Sequence, residues 1–393
     1  MTSWLDDELG ERRRRGLYRW RRGIESAPGG RLRWRGRDFL SFASNDYLNL
    51  AADPRLAAAA ARAARRYGTG AAASPLVCGH LPPHRALERA LARWEAMPSC
   101  LVFSSGFAAN VGTITALVGR GDGVFSDAWN HASLVDGCRL SRADVHIYRH
   151  NDANHLQELL HAAGARYRRR LIVTDSVFSM DGDLAPLAEL MDVAQRHDAW
   201  LLLDEAHATG VLGANGRGLT ELVWPAGCPD AERLIKIGTL SKALGSQGGF
   251  AAGTRSLSRW LVNHARSYIF STALAPPCAA AARRAVALVA EEPERGRHVL
   301  RLAELLRSRL HDIGYPATSS RCQIVPIIVG PAAAAMALSR QLEEQGLLVP
   351  AIRPPSVPEG TSRLRVSLSA GHGEEDVSRL VEALAVARDQ VRV

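Results

Sequence analysis

Five side chains in this sequence have the chemistry of an active site: His131, Ser179, Asp204, His207 and Lys242. Lys242 is the most informative. The chain holds 49 Lys and Arg, and only Lys236 and Lys242 among them are lysine. A chain that uses arginine for solvated positive charge keeps a lysine where the amine must be able to lose its proton. Schiff-base formation with a carbonyl is the chemistry that most needs such an amine. Lys242 follows an apolar run, sits in the hydroxyl-rich turn Thr239-Leu-Ser-Lys242, and leads into Gly245, Gly248 and Gly249. Two lysines alone are as well explained by chance, so the neighbours decide.

Asp204 ends the run Trp200-Leu-Leu-Leu, where a carboxylate is costly to bury without a cationic partner. A protonated pyridine nitrogen is such a partner. His207, three residues on, suits a phenolic oxygen on the same ring, and His131 suits its face. Ser105-Gly106-Phe107, opening a helix after the strand Cys100-Leu-Val-Phe, offers free N–H groups and a dipole to a phosphate, with Thr239 beside it. Lys242 closes the imine. Phosphate, charged pyridine, phenol and aldehyde together specify pyridoxal 5′-phosphate, an electron sink for carbanions. Each residue alone has a plainer reading: His131 as a core histidine, Ser179 as a helix cap, Asp204 and His207 as a metal or acid–base pair.

Apolar runs at 100–103, 123–127, 145–148, 170–174 and 200–204, and the run before Lys242, alternate with helical patterns. They predict an α/β fold with a mostly parallel sheet covered on both faces. Functional groups in such sheets gather beyond the strand C-termini, where all five residues lie. Before the sheet, residues 3–26 read as a basic amphipathic helix and 31–50 as a hairpin. Helices follow at 57–67 and 83–95, with a small-residue loop at 71–80 between them. The expected organisation is an N-terminal helix and hairpin segment (1–50), a large domain (51–282) and a smaller α+β domain (283–393). The last carries strands at 322–329, 347–352 and 363–369 and a closing helix at 374–388.

Hydrophobic content of 47% with 23% charged residues is ordinary globular composition. Six cysteines without CxxC spacing read as reduced thiols of a cytoplasmic protein. No apolar run approaches a membrane span, and the acidic N-terminus lacks the features of a signal or transit peptide. The net charge of +9 comes without the basic–aromatic motifs of nucleic-acid binding; a phosphorylated small molecule fits it better.

The stretches SNDYL (44–48), SSGFAAN (104–110), NHASLVDG (130–137), SVFSMDGDLAPL (176–187), DEAHATGVLGANGRG (204–218) and TLSKALGSQGG (239–249) resemble the α-oxoamine synthases. These are fold-type I pyridoxal-phosphate enzymes that condense an amino acid with an acyl thioester and release CO2. The resemblance runs from about residue 15 to the C-terminus. It implies that Lys242 carries the cofactor and does acid–base work, Asp204 pairs the pyridinium, His207 the phenolic oxygen, and His131 stacks on the ring. Ser179 would lie beside the ring, and Ser105, Gly106, Phe107 and Thr239 around the phosphate. Thr272 would reach the phosphate of a neighbouring subunit, which implies a homodimer with shared active sites. Asn45 and Arg365 would hold the amino-acid carboxylate, and Arg19 and Arg353 the distal carboxylate of the acyl chain. The element Ile352-Arg-Pro-Pro-Ser-Val-Pro358 resembles the biotin-pathway member, which uses L-alanine with pimeloyl-CoA or a pimeloyl-acyl-carrier protein. The alternatives are a glycine- or serine-using sibling and an aminotransferase, many of which place a tyrosine where this chain has His207. The loop 71–83 departs from the usual GGSRLVSG-like version in being richer in alanine and proline, which bears on acyl fit and not on reaction class.

Overall fold

The structure, a computed structural model, describes residues 3–391. It forms two compact units. The larger takes in Leu50–Ser179 and Asp183–Arg297; the smaller combines the segment up to Asn49, Met180–Gly182 and the chain from His298 onward. The large-domain boundary expected after 282 therefore falls at 297. The helix Pro276–Glu291 buries Ala279, Ala282 and Ala285 and packs on the helices Pro54–Tyr67 and Pro82–Trp94 of the larger unit. Small residues let these three helices approach closely, so the helix stays with them.

The core of the larger unit is a seven-stranded sheet. Its spatial order is Ser99–Phe103, Gly249–Gly253, Leu234–Thr239, Trp200–Asp204, Arg170–Asp175, Gly123–Asp127 and Asp144–Tyr148. All neighbours are parallel except Gly249–Gly253, which is antiparallel to both of its partners. Leu201, Leu202 and Leu203 are fully buried, as continuous apolar runs require when both faces are covered. The mostly parallel sheet read from the sequence is thus present. The antiparallel strand after Gly248 is the added element: the Lys242 turn folds it straight back onto its own strand.

The smaller unit carries two three-stranded sheets, and two expectations change there. The helix at the N-terminus ends at Arg14. Gly16 takes a left-handed φ of 64°, Leu17 N–H donates to Arg12 O at 2.8 Å and Gly16 N–H to Arg13 O at 3.1 Å. This glycine cap closes the helix and leaves residues 17–26 non-helical. The single strand expected at 347–352 is two. Leu347–Leu348 pairs parallel with Leu40–Ser41, whereas Ala351–Ile352 pairs antiparallel with Arg363–Leu364. Pro350 between them has no N–H to continue a ladder, and its carbonyl accepts from Arg365 N at 3.0 Å instead.

The two lysines have opposite fates. Lys236 is 1% exposed in the middle of its strand and pairs with the buried carboxylate of Glu95. It also donates to Arg217 O at 2.8 Å. Lys236 is therefore a structural cation, which accounts for one of the two lysines that the arginine-rich composition keeps. Burial pushes the Glu95 carboxyl up and Lys236 pulls it down, so each charge depends on the other. Lys236→Met is expected to lower the unfolding free energy by about 3–5 kcal/mol, measured by denaturant titration. The double variant Lys236→Met/Glu95→Leu should recover most of that loss; a loss below about 1 kcal/mol in the single variant would show the pair to be solvated.

Candidate active site

The C-terminal ends of the parallel strands place the five chemical residues. Asp204 is the last residue of its strand and 5% exposed. Its Oδ2 accepts from Asn110 Nδ2 at 2.6 Å and its Oδ1 from Ala206 N at 2.9 Å, so its recorded donors are neutral amides. His207 follows in the turn, with Nε2 2.8 Å from Lys242 Nζ. These two residues, 35 positions apart, come to one point because their strands are parallel neighbours in the sheet. His131 caps the helix Ala132–Ser141. Its Nδ1 lies 2.8 Å from Ser133 Oγ, and its N–H donates to Asp175 Oδ2 at 2.7 Å. The ring is open to solvent on one side, yet enough protein surrounds it that desolvation lowers its pKa. His131 thus presents a neutral imidazole. Ser179 lies half-buried four residues past the Arg170–Asp175 strand.

The candidate phosphate cradle is equally local. Ser105 caps the helix Gly106–Leu117, its Oγ accepting from Ala108 N at 3.0 Å. A Cβ at Gly249 would stand 2.4 Å from Gly106 N, so glycine is required there. Thr239 Oγ1 lies beside Gly106 and 2.8 Å from Ser241 Oγ. Phe107, in the first turn, leaves 48% of its surface exposed. Helix N–H groups, two hydroxyls and close backbone approach suit a phosphate. Together with a buried carboxylate among neutral donors and an amine beside an imidazole, they fit pyridoxal phosphate. Thr272 is exposed, next to Ala273, whose N–H donates to Ala73 O at 3.0 Å.

In the smaller unit, Arg365 is buried and donates to Ser367 Oγ at 2.8 Å, Asn45 Oδ1 at 3.2 Å and Tyr47 Oη at 3.3 Å. Asn45 and Arg365 are thus one cluster. Arg19 and Arg353 line a second, a cavity of about 320 Å³ with Tyr18, Trp20 and Met336. Arg353 donates to Tyr18 O at 2.9 Å, and burial, then the charge of Arg19, lowers its pKa.

A family model described as aminotransferase class I and II matches residues 37–384. The 8-amino-7-oxononanoate synthase of Anaeromyxobacter dehalogenans is 49% identical over 98% of this chain and 95% of its own. The chain belongs to the class I and II aminotransferase family. Among solved structures, a variant of serine palmitoyltransferase from S. paucimobilis with a bound PLP–myriocin aldimine superposes with a TM-score of 0.93 at 29% identity. It covers 100% of this chain and 99% of that one. The 8-amino-7-oxononanoate synthase of Francisella tularensis gives 0.77 at 26% identity, over 90% and 99%. The resemblance read from the motifs is borne out.

Within this aminotransferase-family site, four residues escaped the sequence reading. Asn110 ties Asp204 to Ser133, with Nδ2 2.9 Å from Ser133 Oγ. It lies four residues into the cradle helix, where only that spacing signalled it. Ser133 joins His131 to the same amide, and Ser241 adds a hydroxyl beside Thr239. Asp175 is fully enclosed at its strand end; burial, reinforced by Asp204, pushes its carboxyl well above the usual range. Its Oδ2 accepts the His131 N–H. Glu205, in contrast, points away from the site: it accepts from Leu219 N, Thr220 N and Thr220 Oγ1 and holds that loop. Asn110→Ala should raise the Kd for pyridoxal phosphate about 10- to 100-fold, the worth of a hydrogen bond to a charged group, read by cofactor absorbance titration. An unchanged Kd would mean that Asn110 does not orient Asp204.

Proposed function

We propose that this chain catalyses the pyridoxal-phosphate-dependent decarboxylative condensation of L-alanine with a pimeloyl thioester. The products are 8-amino-7-oxononanoate, CO2 and the free thiol of coenzyme A or an acyl-carrier protein, a step of biotin biosynthesis. The observation that carries the reading is the meeting of Lys242 Nζ and His207 Nε2 at 2.8 Å, at the rim where Asp204 is buried. Relatives at 49% identity bearing the 8-amino-7-oxononanoate synthase name support it.

Pyridoxal phosphate, when bound, supplies the electron sink that takes up charge at the alanine Cα and again when CO2 leaves. Ser105, Gly106, Phe107, Thr239 and Ser241 hold its phosphate, and Ser179 lies beside its ring. Asp204 holds the pyridine nitrogen protonated, because a buried carboxylate favours a cation beside it. His131, kept neutral by desolvation, would stack on the ring. Lys242 would hold the cofactor's aldehyde carbon and its Nζ would take the alanine α-proton; His207, 2.8 Å from that amine, would hydrogen-bond the phenolic oxygen. Arg365 and Asn45 grip the alanine carboxylate, and Arg19 and Arg353 the far carboxylate of the pimeloyl chain. The unit is a cytoplasmic homodimer in which Thr272 completes the partner's phosphate site.

Cofactor-loaded protein with pimeloyl-CoA should release thiol with L-alanine and little with glycine or L-serine. Release only with glycine or serine would keep the mechanism and overturn the substrate. Lys242→Ala should abolish turnover and the covalent cofactor absorbance; full activity in that variant would sink the assignment. Arg353→Met should raise KM for the pimeloyl thioester about tenfold or more with kcat little changed, as loss of ground-state binding does. An unchanged KM would remove Arg353 from the acyl site.

A further inference from the structure

Asp127 ends the strand Gly123–Asp127, four residues before His131, and Asp183 stands four residues after Ser179. His150 reaches both. Its Nδ1 lies 3.0 Å from Asp127 Oδ1 and its Nε2 2.7 Å from Asp183 Oδ2. An ionised carboxylate only accepts, so both ring nitrogens have to donate and the ring is an imidazolium. The two aspartates are also joined through Asn151, whose N–H donates to Asp127 Oδ2 at 2.8 Å and whose Nδ2 donates to Asp183 Oδ2 at 2.9 Å.

The cation is sandwiched. The Trp129 ring stacks on it at 3.9 Å and 16°, and Phe178 meets it edge-on at 4.3 Å. Trp129 N–H also donates to Asp127 Oδ1 at 2.8 Å. An indole face favours a cation beneath it. Trp129 and Phe178 are each within two residues of His131 and Ser179, so the same contacts fix the backbone on which those residues sit.

We propose that His150, as an imidazolium, is a positioning residue that clamps the loop of His131 to the loop of Ser179, and that Trp129 reports its charge. The inference rests on the proposed function in taking these loops as the cofactor's. Burial works against the charge, and the hydrogen bonds to Asp127 and Asp183 outweigh it, raising the pKa to about 9. The charged groups facing His150 are Asp127 from the strand and Asp183 from the far loop; on its own segment, Asp152 is engaged by Arg149 at 2.8 Å. Because the folded value is raised, the clamp is charged at neutral pH and is lost as pH rises through about 9, while its contribution to stability is fully present below the ordinary histidine pKa of about 6.5.

The test follows Trp129 emission, taken as the difference between the parent protein and Trp129→Phe, from neutral to strongly alkaline pH. One transition near the raised His150 value is expected. It should vanish in His150→Gln and move to lower pH, by roughly a unit or more, in Asp183→Asn, which removes one of the two charges. The Kd for pyridoxal phosphate at neutral pH should rise on the order of tenfold in His150→Gln, the scale of a loop-positioning defect. The alkaline limb of kcat/KM should shift with the emission midpoint in Asp183→Asn. An emission transition that survives His150→Gln, or a midpoint unmoved in Asp183→Asn, overturns the proposal, as does a cofactor Kd unchanged in both variants. Asp183→Asn decides alone if His150→Gln does not fold. Emission and cofactor affinity need no turnover, so expected shifts in a protein inactive with alanine would refute the proposed reaction and leave the clamp standing.

Discussion

The structure depends on one costly act, the burial of a carboxylate at the end of a central strand. Asp204 is enclosed by leucines below and amides beside it, and such a group is tolerated in a fold only when a cation or strong donors meet it. Everything around it can be understood as provision for that charge. Asn110 and the Ala206 amide give it two fixed donors. Burial and the charge of Asp204 push the neighbouring Asp175 carboxyl up, which disfavours a second negative charge in the same enclosure. The parallel sheet brings Lys242 and His207 to the same rim, each on a neighbouring strand. A site assembled this way is preorganised by backbone topology, so its side chains need few rotamers to be frozen on binding.

The same economy explains which parts of the site were legible in the sequence. Lys242, Asp204, His207 and His131 announced themselves because each sits just past an apolar run, and strand ends on a parallel sheet converge. The capped helix N-terminus at Ser105 was legible for the same reason, from a strand, two serines and a glycine before a helix. Asn110 and Ser133 were not, because a polar residue inside a helix has no sequence signature for the direction it faces. The role of Lys236 was not legible, because rarity marks a lysine as kept without saying why. Only Glu95, distant in sequence and buried beside it, distinguishes a structural cation from a reactive amine. Elements failed where one residue overrode a pattern: Gly16 closed a helix whose basic periodicity continued, and Pro350 divided an apolar run between two sheets.

The two units also differ in how they present polar groups. In the larger one, the chemistry stands on loops immediately beyond strands, within a few residues of rigid ladder. In the smaller one, Arg365 lies within its strand and is held by Tyr47 and Ser367, a buried guanidinium whose donors are already directed. Burial pushes the Tyr47 phenol up, against the pull of Arg365, so the phenol stays neutral and serves Arg365 as an acceptor. An arginine fixed in this way offers a planar fork to a carboxylate without first surrendering side-chain entropy.

The preference for arginine over lysine in this chain then has a chemical logic. Arg353 is driven down by burial and by Arg19, yet a guanidinium starts so high that it stays charged through such a shift. A lysine in the same place begins near 10.4 and would approach neutrality under a large one. Where two like charges must persist side by side to receive an acid, arginine is the side chain that can do it. Holding two guanidiniums side by side carries a cost that an anion between them would offset, so under the proposed reading the cavity lined by Arg19 and Arg353 suits a chain ending in carboxylate. In the proposed reaction Lys242 meets the opposite demand, since an amine that must give up its proton and bond a carbonyl cannot be a guanidinium. Arginine serves where a permanent charge is wanted, while the two lysines divide: Lys236 is a structural cation paired with Glu95, and Lys242 stands beside His207.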